Sequence, residues 1–383
     1  RLGRGAVIAG RAVAIGGHVF RTPFAVVRGG IAEHPGDRFE ATPTGSEWRL
    51  VWGRIDTQFG TPPLRLPGFA GFRVAAYSRV DGLGLTWGPQ LAAGALTVRP
   101  AATWRTHRGV VDPAVQARLG SRRVAVEGVV ERTTASNEQW LAGDLVAASI
   151  GVLSGVDLRN WYRADRGEAR LRMLEDRWPV AIELWGGARD ERVSPAAPAG
   201  ALAARPWTVA SPTAGNGFDR ANPVIAAQHL TTALAGIALI APSGARVQSR
   251  LAVSAEVTLQ ERDGAGRFTQ YVSDWSSRIA TGWGSRLETL GRAAWHDGTL
   301  PEARVGALGG PGTLLSEPVL GLRGQRLAFG SARWAWPFGD GRLAPVVGLR
   351  VARGLVGDAT QWHRGVTNLG AQIDVGPLRV ESA

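Results

Sequence analysis

The residue types that most often carry chemistry are thin on this chain and badly spaced for it. Its six histidines, His18, His34, His107, His229, His296 and His363, stand apart, and none lies at metal-ligand spacing from another. Cysteine is absent, so a disulfide framework, a thiolate zinc site and thiol catalysis are all excluded. All 44 basic residues are arginine, and without lysine, or a Gly-x-Gly-x-x-Gly run between a strand and a helix, there is no phosphate cradle. Trp295-His296-Asp297-Gly298 sets a histidine beside a carboxylate, but a strand running into an Asp-Gly turn accounts for it. The expectation is a protein that is not an enzyme, with no catalytic residue, no cofactor and no metal.

What remains is charge. The arginines outnumber the 32 acidic residues and leave a net charge of +12. They form no block and no helical stripe, so a nucleic-acid partner is not expected. They occur singly, often between two apolar neighbours, and a period of two is what separates such neighbours in space. From Arg246 to Gln260 that period is plain: Val247, Leu251, Val253, Val257 and Leu259 lie on one side, Arg246, Gln248, Arg250, Glu256 and Gln260 on the other. A strand of that length runs about 50 Å at roughly 3.3 Å per residue, too long for a small sandwich.

The same alternation recurs over Arg123–Glu131, Arg278–Thr289, Arg342–Val351 and Asn368–Val375, and around Trp48, Leu50 and Trp52. Turn clusters join these runs at 262–266, 297–298, 339–341 and 357–358. Pro/Gly/Ala-rich stretches at 194–206 and 210–223 read as loops. One helix is expected, from Asn137 as cap to Ser154, inserted in a loop.

Two architectures accommodate long half-apolar strands: a soluble sandwich with the apolar face inward, and a transmembrane barrel with that face outward to lipid. No run of 18 apolar residues offers a membrane-spanning helix. Strand length, small and charged residues on the polar faces, and 15 tryptophans against 3 tyrosines favour the barrel. Trp178, Trp207, Trp275, Trp295, Trp336 and Trp362 lie near strand ends, where an interfacial aromatic girdle would sit.

Three segments then resemble the bacterial surface antigen family, the outer-membrane barrels of the BamA and TamA kind. Tyr77-Ser78-Arg79-Val80-Asp81-Gly82 is similar to the tyrosine-asparagine-arginine-valine-glutamate-glycine run that opens such barrels, with Ser78 and Asp81 as departures. Leu308-Gly309-Gly310-Pro311-Gly312-Thr313 resembles the glycine-rich start of the family's inward-folded loop, and 330–338 the strand returning from it. Gly376-Pro377-Leu378-Arg379-Val380 is similar to the last strand. Asn160–Gly167 is a lesser match, to an aspartate-tyrosine-tyrosine turn. The family positions are therefore Tyr77, Arg79, Asp81, Gly82, Gly309, Gly310, Gly312, Gly376 and Pro377.

The family's arginine-glycine-aromatic loop tip has no counterpart at Leu315-Ser316-Glu317, and Arg323-Gly324 is a poor substitute, which puts a loop-to-lumen ion pair in doubt. The last residues, Glu381-Ser382-Ala383, lack the family's terminal aromatic, so a fragment is expected. Gly-bounded runs at 5–17 and 25–31 look like rungs of a short-repeat β-solenoid, similar to bactofilin-type repeats, or else like two ordinary strands.

The expected fold is all-β: a transmembrane antiparallel barrel of about 16 strands over residues 76–383. Before it, residues 1–75 form a short β-rich, solenoid-like segment, the remnant of a periplasmic domain. The expected location is the outer membrane, with outer-membrane lipid as partner. The resemblance implies insertion or translocation of client outer-membrane proteins through a frail seam between first and last strands, near Leu83 and near Leu378. The alternatives are a passive anion-favouring channel or surface antigen, and a secreted glycan-binding sandwich or solenoid.

Overall fold

The computed structural model describes residues 7–8, 12–15, 26–27, 31–34, 37–44, 47–54, 63–176, 180–196, 208–209, 220–241, 247–263, 266–282, 284–338, 345–375 and 378–382. The chain divides into two compact units, Arg1–Pro62 and Pro63–Ala383, a division that falls before the expected boundary at residue 75. In the first unit, β1 (Val7–Ile8) pairs in parallel with β3 (Val26–Val27), and β2 (Ala12–Ile15) with β4 (Ile31–His34). Val7 faces Val26 and Ala12 faces Ile31, the same offset in both, as when one coil of chain stacks on the next. An antiparallel hairpin follows, β5 (Asp37–Thr44) with β6 (Glu47–Arg54).

The second unit opens with four short strands, β7 (Leu64–Arg65), β8 (Phe72–Ser78), β9 (Gly82–Trp87) and β10 (Gln90–Ala93). Long strands take over: β11 (Leu96–Arg105), β12 (Val110–Gly120), β13 (Val124–Ala135), β14 (Tyr162–Glu175) and β15 (Ala181–Pro195). After them come β16 (Gln228–Ile240), β17 (Val247–Glu261), β18 (Phe268–Ala280) and β19 (Arg286–Gly298). A small hairpin, β20 (Gly306–Leu308) with β21 (Leu322–Gly324), lies in the loop after β19. The sheet then resumes with β22 (Arg326–Pro337), β23 (Pro345–Gly357), β24 (Trp362–Val375) and β25 (Leu378–Ser382). Apart from the β20–β21 hairpin, these strands form one 17-stranded sheet, antiparallel throughout its registers.

Which way the apolar faces point separates the two architectures. Val247, Leu251, Val253 and Leu259 of β17 are 42%, 40%, 38% and 60% exposed, whereas a sandwich would bury them. Their cross-strand neighbours Ile237, Leu239 and Trp275, and Leu349, Val351, Leu369 and Ile373 on the distant β23 and β24, are exposed in the same way. The interleaved residues turn inward, with Ala125, Ala164, Ala238, Ala335 and Ala352 almost fully buried. The unit is therefore a transmembrane β-barrel, and the soluble sandwich is excluded. No helix among the described residues is long and apolar enough to cross a membrane.

The connections sort by length onto two rims. Turns such as Gly94-Ala95 and Ser121–Arg123 alternate around the sheet with the long connections 136–161, 196–227 and 299–325. In barrels of this kind the short turns face the periplasm and the long loops the outside. Exposed aromatics follow both rims: Trp104, Trp295 and Trp362 near the long loops, Phe72 and Trp334 near the short turns. Trp336, partly covered, stacks on Trp334 with ring centroids 5.6 Å apart. Trp275 lies mid-strand, and Trp178 and Trp207 fall outside the described residues.

Two expected elements differ. The run Arg278–Thr289 is not one strand but the end of β18, a turn and the start of β19. Ser285 N–H bonds to the Gly282 carbonyl and Thr281 Oγ1 to Ser285 Oγ at 2.6 Å, with Gly284 at φ +71. The expected helix is split. Ser136, not Asn137, caps a 3-10 turn, Asn137–Trp140, and a separate helix α1 (Asp144–Ser154) follows Gly143.

Because the chain lacks cysteine, single cysteines report side-chain direction cleanly. A fluorophore on Val253→Cys in lipid vesicles should be quenched by nitroxides attached to acyl chains, and one on Ser254→Cys should not. Val253→Arg should cost about 2–4 kcal/mol of unfolding free energy in denaturant titrations, the usual penalty at the bilayer midplane.

Candidate functional site

The polar residues of the strands converge on the lumen, and there the arginines find partners. Arg166 binds Glu131 at 2.5 Å, Arg170 binds Glu127 at 2.9 Å, Arg189 binds Glu168 at 2.8 Å and Arg172 binds Glu183 at 2.5 Å. Each pair joins strands adjacent in the sheet, so the polar wall is laced across the hydrogen-bonding direction.

Into this lumen folds the loop between β19 and β22. Its 3-10 turn, Glu302–Arg304, carries Arg304 to the wall. There Arg304 donates to Glu191 at 2.5 Å, to both oxygens of Glu256 at 3.0 and 3.1 Å, and to the Tyr162 hydroxyl at 3.3 Å. Glu191 is fully buried and Arg304 nearly so. The Arg304 carbonyl accepts from Gln270 at 3.1 Å, and the carbonyl of Ala303 accepts from Asn137 Nδ2.

The other side of the loop is held well round the sheet. Gly309, Gly310 and Gly312 adopt φ of +121, +79 and +85, a left-handed path that side-chain-bearing residues resist. The path brings the Gly312 carbonyl to Arg350 at 2.6 Å and Ser316 Oγ to Asn368 Nδ2 at 2.7 Å. Leu308 and Leu314, both fully buried, press on β23 at Gly354, where a Cβ would meet them at 2.8 and 2.7 Å. The loop is thus moored to β15 and β17 by charge and to β23 and β24 by packing and hydrogen bonds, and it fills the space between.

A second cluster surrounds the turn after β8. Asp81 accepts from Arg105 at 2.5 Å and from Thr134 at 3.1 Å, and Arg105 also binds Asp112, which Arg163 holds at 2.6 Å. Burial pushes the Asp81 carboxyl above the usual range, against the pull of Arg105. Arg79, almost wholly buried, donates to the Arg159 carbonyl at 2.8 Å, lies 3.1 Å from Asp157 and donates to Asn222 Oδ1. Arg220 adds bonds to Asn160 at 2.6 Å and to the carbonyl of Arg159 at 2.9 Å. Burial, followed by the charge of Arg79, brings Arg220 down to about 10, still cationic at neutral pH.

The family positions fall into two groups. Tyr77, Arg79, Asp81 and Gly82 share the β8–β9 hairpin, and Gly309, Gly310 and Gly312 form the turn of the inward loop. The 136–161 segment spans them, with Leu141 beside Gly312 and Asp157 on Arg79. Gly376 and Pro377 lie outside the described residues.

The doubted loop-to-lumen ion pair exists, on a residue the sequence did not single out. Arg323, part-exposed, binds Glu302 within its own loop at 2.8 Å, while Arg304, before the glycine run instead of after it, makes the anchor. The available signal was a lone arginine at the loop start facing strands with glutamates on their polar sides, Glu191 and Glu256.

Fold and lumen together define a class: a transmembrane β-barrel of the outer membrane whose lumen is occupied by its own loop. Among solved structures the chain is similar to BamA from Haemophilus ducreyi lacking POTRA domains 1-3, at 12% identity and TM-score 0.50, over 78% of this chain and 62% of that one. It is also similar to CdiB from Escherichia coli, at 12% identity and TM-score 0.49, over 89% of this chain and 61% of that one. The chain spans about three fifths of the length of these structures, and at such identity the likeness is one of fold. No family profile matches the chain, and no curated protein matches it.

Removing Arg304 leaves Glu191 charged and unpaired in the wall, a loss of about 3–5 kcal/mol for a buried pair. Arg304→Ala should unmoor that end of the loop and raise single-channel conductance in planar bilayers above that of the native protein. Arg304→Met combined with Glu191→Gln and Glu256→Gln should recover much of the lost stability, because no unpaired charge is left behind.

Proposed function

We propose that this barrel assists the insertion or translocation of polypeptides at the outer membrane, using the junction where the last strand, β25, meets the short opening strands β7 and β8. The resemblance of 77–82 and 308–313 to the bacterial surface antigen family suggests the role, and the barrel likeness to BamA is consistent with it. One observation carries the reading: the make-up of β8. Most later strands run 10 to 15 residues, but β8 has seven and its register with β9 breaks between Val74 and Ala76. A short, irregular strand is weakly bound to its neighbour, and a weakly bound edge can exchange partners with an incoming strand. Clients on this reading are other outer-membrane proteins.

The moored loop weighs against a passive channel. Its leucines and Arg304 occupy the lumen, and several wall arginines, Arg166 and Arg189 among them, are paired with glutamates.

The test uses the barrel in lipid vesicles with an unfolded outer-membrane protein as client, scored by its acquired protease resistance. A cysteine in β8 joined to one in β25 by a bismaleimide linker should slow client insertion severalfold, and the same pair left unlinked should not. Equal insertion with and without the linker would discard the proposal.

A further inference from the structure

The segment 144–161 holds the first strand from two directions. Helix α1 packs along β8 and reaches β25, so it lies against both strands of the junction. Beyond its end the chain turns back, and Asp157, Arg159, Trp161 and Asn222 close on the residue after β8, Arg79. The contacts are specific. Asp157 accepts from the Arg79 backbone N–H at 3.2 Å and from Trp161 Nε1 at 2.8 Å, and it pairs with the guanidinium at 3.1 Å. Asn222 Oδ1 accepts from both Arg79 and the Trp161 N–H, while Val80 is buried with Trp161 and Ala196. Arg159 in turn ties this cluster back to the head of α1, donating to Asp144 at 2.7 Å and to the Ala142 carbonyl at 2.7 Å.

From this geometry we infer that α1 and the Arg79–Asp157–Asn222 clasp form a latch on the junction, and that client passage requires the clasp to release β8. The inference rests on the proposed use of that junction and adds what controls it. Much of the hold on β8 is lateral: its own pairing with β9 is short and bulged, while the turn at its end is gripped by buried, charge-assisted hydrogen bonds. Such bonds lie among the strongest that side chains make, and they are lost together once Arg79 leaves, since one guanidinium serves three acceptors. The latch therefore has two states, engaged and free.

The latch makes a claim about β8 itself, separable from any client. In Asp157→Asn, which removes the charge and keeps the shape, backbone amides of β8 should exchange with deuterium about tenfold faster, with β14 to β19 unchanged. Asn222→Ala, which removes the oxygen that accepts from Arg79 and the Trp161 N–H, should act in the same direction to a smaller extent and guards against a general folding defect. Client insertion by both variants should be faster than by the native barrel. Unchanged exchange in β8 in both variants overturns the latch, even if the β8–β25 linker blocks insertion and the junction reading stands. Faster exchange with unchanged insertion shows a clasp that does not limit passage, and overturns the control. If the linker has no effect, the junction reading falls by its own test.

Discussion

No backbone N–H or C=O can be left unpaired in hydrocarbon, where water is absent to receive it. That constraint organises this molecule. It requires a sheet whose strands bond to neighbours along their length, as β11 to β19 and β22 to β24 do over 10 to 15 residues each. It sends the apolar half of each strand outward to lipid and the polar half inward. It also makes the two ends of the strand series the place of greatest difficulty, because an edge there must be covered or kept short. The short β8 and the helix lying along it are both answers to that difficulty.

The inward half creates a second problem. A lumen lined with arginine and glutamate is favourable while it is wet or paired, and costly once a loop displaces the water. Here the loop brings its own charge: Arg304 meets Glu191 and Glu256 in the region it dries, while its leucines take the apolar gap over Gly354. Many of the arginines on the wall are taken up in cross-strand pairs with glutamate, and Arg304 in anchoring the loop.

Period-two patterning made the strands and their faces legible, because each side chain's direction follows from parity alone. The pattern failed where parity is indifferent to a turn. Ile279 and Leu287 keep step on either side of Thr281–Ser285, so the break between β18 and β19 was invisible to it. The family-like positions Arg79, Asp81 and Gly309 to Gly312 proved to be buried or conformationally demanding, but their partners could not be foreseen. Asp157, Asn222, Glu191 and Arg350 lie in loops and on strands far away in sequence, and only the closed sheet sets them opposite. The cap at Ser136 was missed for a local reason. A serine whose hydroxyl accepts from the Glu138 N–H two residues on competes with an equally good Asn137 beside it.

The 136–161 segment has a consequence for how the two family-like sites relate. At one end Asn137 bonds to the loop carbonyl of Ala303, and Leu141 packs with Ala307, Val319 and Leu320 of the inward loop. At the other, Asp157 holds Arg79 while Leu158 returns to that same apolar cluster. One stretch of chain thus packs on the inward loop through Leu141 and Leu158 and, at the residue before Leu158, grips Arg79. The plug in the lumen and the clasp on the first strand are in this sense parts of one assembly, bridged by a loop that neither site's sequence motif contains.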